Sequence, residues 1–165
     1  MNFHEGDTVM HWTYGLGQII RLEERDLSGL KTPYYAVQIR DMTVWVPSDG
    51  ELEHRLRTPT SKSGFKELIA ILSNAGEPLP DDRHERRTHL LELLRDGDAQ
   101  SLCHIIRDLH TYRKIRSLNE SDQSILKQAR NSLLGEWGFA LSMTPAQAEH
   151  ELNHWLTAEV ANINQ

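Results

Sequence analysis

The sequence predicts an α+β protein in which a small antiparallel β domain precedes an all-α domain of about five helices. Two observations support this fold class. Short β-branched and aromatic runs alternate with turn residues up to about residue 57, and from residue 65 onwards apolar residues recur at helical spacing. The 165 residues are 38% hydrophobic and 25% charged, enough for one sizeable domain or two small ones. We therefore expect domains at 1–58 and 65–165, joined by a linker at 59–64.

The β domain is predicted from four runs, at 7–12, 18–25, 34–40 and 42–46, with turns expected at 13–17 and 26–29. Gly15 and Gly17 fall in the first turn. They lack the third glycine and the following helix of a dinucleotide fingerprint. A sheet of so few short strands is expected to bend strongly into a Tudor-like or SH3-like barrel, because closure removes exposed strand edges.

The last two strands form a predicted hairpin that turns at Asp41-Met42. In this register Ile39 faces Val44 and Val37 faces Val46 on one side. The other side then carries three polar residues and one aromatic, namely Gln38, Arg40, Thr43 and Trp45. Arginine and tryptophan are enriched where proteins bind one another, so this side is a candidate protein-binding surface. The alternative is that the neighbouring domain covers the tryptophan.

Five helices follow the linker, and most of their ends carry recognisable signals. The first has apolar residues from 65 to 72, and Gly76 is expected to stop it. The second starts after Asp82 and ends at residues 96–97, and the third includes residues 102–112. Asn119 with Asp122 resembles a capping box that opens the fourth helix. Thr144, followed by Pro145 and Gln147, opens the fifth.

The second helix begins with several basic residues. Arg83 and Arg87 share a helical stripe with two leucines further along, so this end is expected to project from the core. Residues 83–116 hold eight Lys+Arg against five acidic residues, a local charge of +3 within a chain of net charge -6. Two explanations stay open: a solvated, salt-bridged face, or contacts with nucleic-acid phosphates near a helix N-terminus.

A zinc-protease-like motif, H-E-x-x-H, occurs at His150, Glu151 and His154. A zinc-dependent hydrolase is therefore one alternative function. It is disfavoured because no third ligand follows at suitable spacing, and because the helical stripe of apolar residues places both histidines on the opposite, solvated face. No catalytic group, metal or other cofactor is predicted. The single cysteine, Cys103, is expected to be buried and inert, which suits a reducing cytosol. The sequence has no signal peptide and no membrane-length apolar run, so no membrane partner is expected.

Several motifs in a fixed order resemble the CarD/CdnL family. In the first half these are GDTVMHWTYGLGQI at 6–19, YYAV at 34–37 and TVWVP at 43–47. In the helical half they are IIRDL at 105–109, LNESD at 118–122 and ARNSLLGE at 129–136. The match covers almost the whole chain. The family's first half also occurs in the transcription-repair coupling factor, whereas the helical half is that of the stand-alone regulators.

The resemblance implies a non-enzymatic bacterial transcription regulator, cytoplasmic and associated with the nucleoid through RNA polymerase. Its Tudor-like domain would bind the polymerase β subunit, and the leading hypothesis assigns this contact to Arg25, Gln38, Arg40 and Trp45. Arg25 matches a family arginine at the end of the second strand, and Trp45 stands where some members carry a polymerase-contacting arginine. The helical domain would contact promoter DNA at the upstream edge of the bubble and so stabilise the open complex.

The leading hypothesis places the DNA contacts at the start of the second helix, in Arg83, Arg86 and Arg87. Arg86 matches a basic position at the helix tip. Arg83 stands where family members insert a tryptophan wedge into the minor groove, and a guanidinium cannot block re-annealing in the same way. Because the chain is acidic overall, binding to promoter DNA alone should be weak, so docking on polymerase must come first. We expect a monomer. A protein-only polymerase adaptor without DNA contact is the second alternative.

Overall fold

The structure is a computed structural model that describes residues 2–27 and 29–163. Its strands are β1 (Thr8–His11), β2 (Gly15–Leu27), β3 (Leu30–Ile39), β4 (Met42–Pro47) and β5 (Leu56–Arg57), with a short 3₁₀ turn at Leu52–His54. Its helices are α1 (Phe65–Ser73), α2 (Arg83–Asp96), α3 (Ala99–Arg113), α4 (Glu120–Leu141) and α5 (Pro145–Ile163). The strands form one antiparallel sheet in the order β4-β3-β2-β1-β5. The predicted α+β fold class is confirmed.

The β domain has its own apolar core on one face of the sheet. Alternate residues of β3 and β4 point into it, and Val37, Ile39 and Val46 are at most 2% exposed. Phe3 closes one side of this core with its ring edge against Tyr35, at 5.9 Å between centroids. A register shift between Ile19 and Arg21 adds a bulge to the β2–β3 ladder. Bulges bend a strand and increase its twist, which suits a sheet this small.

The β3–β4 register differs from the prediction by two residues. Val37 faces Val44 and Ile39 faces Met42, so the hairpin turns at Arg40-Asp41 instead of Asp41-Met42. Arg40 has a φ of 56°. This left-handed conformation is unusual for arginine and gives no sequence signal for the turn. Because side chains alternate with a period of two, the slip leaves every residue on its predicted face.

The first predicted turn is also wrong in position. The turn occupies residues 12–14, and β2 already begins at Gly15. Gly17 lies inside the ladder, where an added Cβ would approach Ile39 Cγ1 to 2.7 Å and the Gln38 carbonyl oxygen to 2.9 Å. Strand β3 therefore passes too close to this position for any residue that carries a Cβ. The second predicted turn includes Ser28, which lies outside the described residues.

Local capping fixes the helix boundaries much as predicted. Asp82 accepts a hydrogen bond from the Glu85 N–H at 3.0 Å, and Gly97 ends α2 with a φ of 67°. Asn119 and Asp122 form a complete capping box at the start of α4. The predicted glycine stop of α1 is wrong. That helix ends at Ser73, and Gly76 instead packs against α3, where an added Cβ would lie 2.4 Å from Thr111 Oγ1.

The helical domain has a second, larger core. The Trp137 and Phe65 rings lie 5.3 Å apart at its centre, and the buried faces of all five helices contribute to it. Each domain thus buries its own apolar cluster, as expected for two folding units in one chain. Within residues 2–27 and 29–163, the helices lack the combination of length and apolar character that crossing a membrane requires.

An ion pair joins the two domains. The Arg57 guanidinium at the end of β5 donates to both oxygens of Glu136 on α4, at 2.6 and 2.7 Å. The Glu136 carboxylate also accepts the Thr60 N–H at 2.7 Å, and Arg57 Nε donates to the Gly97 carbonyl at 2.7 Å. Glu136 is completely buried. These contacts connect the sheet, the segment after it, α2 and α4 at one point.

Candidate partner-binding surfaces

The outer face of the sheet carries a cluster of charged side chains around one tryptophan. The Arg25 guanidinium lies over the Trp45 ring, 4.2 Å from its centroid, and the Trp45 indole N–H donates to Glu23 Oε2 at 3.2 Å. Arg21 hydrogen-bonds to the other Glu23 oxygen. That hydrogen bond is the main reason why the pKa of Glu23 lies below its usual value, and the Trp45 hydrogen bond adds to the effect. The cluster therefore holds Arg25 and Trp45 in fixed orientation at the surface.

The register explains why these residues meet. Trp45 on β4 pairs with Ala36 on β3, which pairs in turn with Arg21 on β2. Arg21, Glu23 and Arg25 alternate along β2, so all three lie on the outer face. Trp45 is partly buried and the Arg25 side chain is 43% exposed. The sequence prediction contained Arg25 and Trp45 but missed Arg21 and Glu23, although their period-two spacing with Arg25 is visible.

Gln38 and Arg40 lie towards the β3–β4 turn. Gln38 accepts a hydrogen bond from Thr43 Oγ1 at 3.0 Å and donates one to the Arg40 carbonyl at 2.8 Å, so its side chain fastens the turn. The exposed Arg40 side chain lines a recess between the domains, across from Phe139 and Glu149. The structure thus groups Arg25 with Trp45, and Gln38 with Arg40. Their binding roles stay predictions.

The structure contradicts the prediction that Arg86 contacts DNA. Arg86 is 3% exposed and forms a two-point ion pair with Asp122, at 2.9 and 3.1 Å. Its remaining terminal nitrogen donates to the Pro80 and Asp81 carbonyls and to the Tyr112 hydroxyl, each at 3.1 Å. Arg86 shares the buried face of α2 with Leu90 and Leu94, and the Asp122 carboxylate on α4 neutralises its charge there.

This buried arginine organises one end of the helical domain. Its partners come from the segment before α2, from the last turn of α3 and from the first turn of α4. Arg83 and Arg87 lie exposed on the first turns of α2, beside the capping residue Asp82. Positive charge near a helix N-terminus is unfavourable for the helix. The helix dipole therefore gives no stabilising reason for Arg83 at this position, and contact with DNA remains the predicted role of Arg83 and Arg87.

Two other predicted features lie away from these surfaces. His150 and His154 are exposed on α5, whereas Leu152 between them faces the core. No group of three or more metal-ligating side chains occurs in the part of the chain that the structure describes. Cys103 is fully buried in α3, and burial raises the pKa of its thiol well above the usual value. A buried, protonated thiol is a poor nucleophile.

The structure thus defines a two-domain protein with a candidate protein-binding surface on the outer face of its sheet and exposed arginines at the start of α2. The comparisons with known proteins identify which kind. Residues 3–57 match the CarD-like/TRCF RID domain, and residues 67–153 match the CarD C-terminal domain. The chain belongs to the CarD-like family.

One relative supports the same assignment. The chain is 25% identical over 147 residues to the "Putative transcription factor YdeB" of Bacillus subtilis (strain 168). The alignment covers 88% of this chain and 96% of that protein, so the similarity includes both domains. The CarD-like families are transcription regulators rather than enzymes, and the matched RID domain supports binding to RNA polymerase.

Proposed function

We propose that this protein binds the β subunit of RNA polymerase through the outer face of its sheet and contacts promoter DNA through the start of α2. In this proposal residues 1–58 are the polymerase-interacting domain, 59–64 the linker and 65–165 the DNA-contacting domain. The contact with DNA lies at the upstream edge of the transcription bubble, where it modulates the stability of the open complex. The protein acts as a monomer at the nucleoid, without catalysis.

The Arg25–Trp45 stack is the observation on which the polymerase contact depends. Binding energy concentrates in tryptophan and arginine side chains, and a partner loses less entropy when they are already ordered. The Trp45 hydrogen bond to Glu23 supplies that order on the free protein. Arg25 faces Glu23 as well, with Nε 3.6 Å from its Oε2, so Glu23 contacts both members of the pair while the Arg25 side chain stays 43% exposed.

The DNA contact is assigned to Arg83 and Arg87, because both are exposed and Arg86 is not. Two arginines can neutralise only a few phosphates, so binding to free DNA should be weak at physiological salt. Docking on polymerase raises the local concentration of DNA at this helix end and makes weak contacts sufficient. Arg83 occupies the position of the family's wedge tryptophan, so we expect less stabilisation of the open complex than a wedge would give.

Co-purification with core RNA polymerase tests the polymerase contact. The wild-type protein should retain polymerase, and Trp45→Ala and Arg25→Ala should each weaken retention strongly. Lys66→Ala, an exposed change on α1, is the matched control and should behave like wild type. Absence of polymerase from the wild-type sample, or equal retention by all four proteins, would refute this part of the proposal.

A protein-only adaptor is the second candidate, and the buried arginines favour it. Arg86 and Arg107 are at most 6% exposed and paired with Asp122 and Asp108, which removes two cations from the predicted basic segment. Promoter footprinting on the polymerase complex distinguishes the two functions. The double variant Arg83→Ala/Arg87→Ala should change the footprint while polymerase binding persists. An unchanged footprint would establish the adaptor.

A further inference from the structure

A basic recess lies between the end of α3 and the first half of α4, apart from both proposed surfaces. Its volume is about 540 Å³, and three cationic side chains line it, from Arg113, Lys127 and Arg130. Polar groups of Ser117, Gln123 and Asn131 share the wall. Leu118 and Leu126 supply half-buried apolar surface. Arg83 and Arg87 do not line this recess.

Acidic groups compensate this positive charge only in part. Arg130 donates to Asn153 Oδ1 at 3.3 Å and lies 3.7 Å from a Glu149 oxygen that is itself largely exposed. Among the described residues, Arg113 and Lys127 have neither an ion pair nor a side-chain hydrogen bond. Burial is the main cause that lowers the pKa of Arg130, and nearby Arg113 lowers it further while Glu149 opposes the change. Three cationic side chains therefore line the recess, and Glu149, which approaches Arg130, is not among the lining residues.

We propose that this recess binds the phosphate groups of a small, nucleotide-sized molecule. Arg113, Lys127 and Arg130 would pair with the phosphates, because arginine and lysine are the residues that bind phosphate in proteins. Ligand sites of 300–1,000 Å³ that combine apolar surface with a few polar groups are of the size that encloses such molecules. The leucine side chains would offer apolar surface to a base or sugar.

The position of Lys127 connects this site to the domain interface. Lys127 and Asn131 also line a smaller recess, of about 320 Å³, beside Thr13 and Tyr14 in the turn between β1 and β2. A ligand held by Lys127 would therefore lie next to the point where the sheet meets α4. The concave form of the recess favours a small molecule over the convex surface of a DNA duplex.

Isothermal titration calorimetry of the full chain with GTP, and with guanosine as a phosphate-free control, tests the proposal. GTP should bind and guanosine should not. Lys127→Gln and Arg113→Gln should each weaken GTP binding at least tenfold, the loss expected for one charge-assisted contact. Lys66→Gln and the double variant Arg83→Ala/Arg87→Ala should leave it unchanged.

Three outcomes would overturn the inference. The first is that GTP does not bind at millimolar concentration, the second that guanosine binds as well as GTP, and the third that the recess variants bind GTP like wild type. A parallel titration with a 20-base-pair DNA duplex tests whether the recess binds DNA instead of a small molecule. If Lys127→Gln weakens duplex binding while GTP does not bind at all, the recess is a DNA contact and the small-molecule site is rejected.

Discussion

Replacing Arg57 by alanine should destabilise the whole protein, because it leaves the Glu136 carboxylate buried without its counter-ion. Glu136 is 0% exposed, and the side chain of Arg57 is only 21% exposed. Removing one partner of a buried ion pair costs about 3–5 kcal/mol, mostly through the uncompensated charge that remains. The Thr60 N–H, at 2.7 Å, would still donate to the carboxylate, so we expect the lower half of that range.

The chain offers a matched control for this change. Arg55 pairs with Asp49 at the same distance, 2.6 Å, but with side chains that are 30% and 45% exposed. An exposed ion pair contributes only about 0–1 kcal/mol, so Arg55→Ala should be nearly neutral. The two variants remove the same residue type and ion pairs of the same shortest length; the pairs differ in burial and in the second, 2.7 Å bond that Arg57 donates to Glu136. Equilibrium urea unfolding, monitored by tryptophan fluorescence and by far-ultraviolet circular dichroism, gives both free energies of unfolding.

A third variant separates charge from packing. In Arg57→Leu/Glu136→Leu both charges are absent, and replacing a buried ion pair by apolar side chains of similar size is often neutral or stabilising. The double variant should therefore recover most of the stability that Arg57→Ala loses. The reasoning is refuted if Arg57→Ala costs no more than Arg55→Ala, or if the double variant is less stable than Arg57→Ala.

Three further predictions concern other parts of the chain. Arg86→Ala should lower the free energy of unfolding by about 3–5 kcal/mol, because it leaves the buried Asp122 carboxylate without its counter-ion. Urea unfolding measures this loss, and a loss below about 1 kcal/mol would contradict the buried pair. Burial lowers the pKa of His11 to about 4 from 6.5, so its contribution to stability is complete above pH 6.5 and is lost as the pH falls towards 4. That loss amounts to about 3 kcal/mol at full protonation. His11→Asn, which keeps a hydrogen-bond acceptor, should show a smaller fall in stability over this range, and an identical fall in wild type and variant would exclude His11 as the cause. Arg83→Trp should lengthen the lifetime of the promoter open complex, measured by competitor challenge, whereas an unchanged or shorter lifetime would count against the wedge position.

Helix starts were predictable because their signals are local. The capping box of α4 needs only residues 119 and 122, and the fifth helix start needs only Thr144 and Gln147, which hydrogen-bond to each other's backbone N–H groups at 3.0 and 3.2 Å. Each of these contacts joins two residues that are three apart in the sequence. No tertiary contact has to be known, so a sequence pattern is sufficient.

The β3–β4 register was not predictable from alternation. A slip of two residues keeps every side chain on its face, so the pattern of Val37, Ile39, Val44 and Val46 fits either register equally well. The turn chemistry would normally decide between them. Here the turn uses Arg40 in a left-handed conformation, where asparagine or glycine would have been the recognisable signal.

Arg86 illustrates why the predicted basic surface was only partly correct. An arginine beside leucines on a helix can be exposed or buried, and the sequence pattern is the same in both cases. The deciding group is Asp122, which is 36 residues away and already belongs to the capping box of another helix. The prediction could place Arg83 and Arg87 on the surface but could not pair Arg86, because pairing depends on the packing of α2 against α4.

The ion pairs between the sheet, α4 and α2 fix the two proposed binding surfaces relative to each other. Of the eight basic residues in 83–116, Arg86 and Arg107 are buried, so fewer cations are left for the proposed contact with DNA. A weak contact becomes effective when it is held at a fixed position relative to a stronger one, since the gain depends on how well the connection matches the span. The Arg57–Glu136 pair fixes α4 against the sheet, and the Arg86–Asp122 pair fixes the start of α2 against α4. Two buried ion pairs thus connect the proposed polymerase face to Arg83 through one helix, and loosening either one should weaken promoter contacts before it weakens polymerase binding.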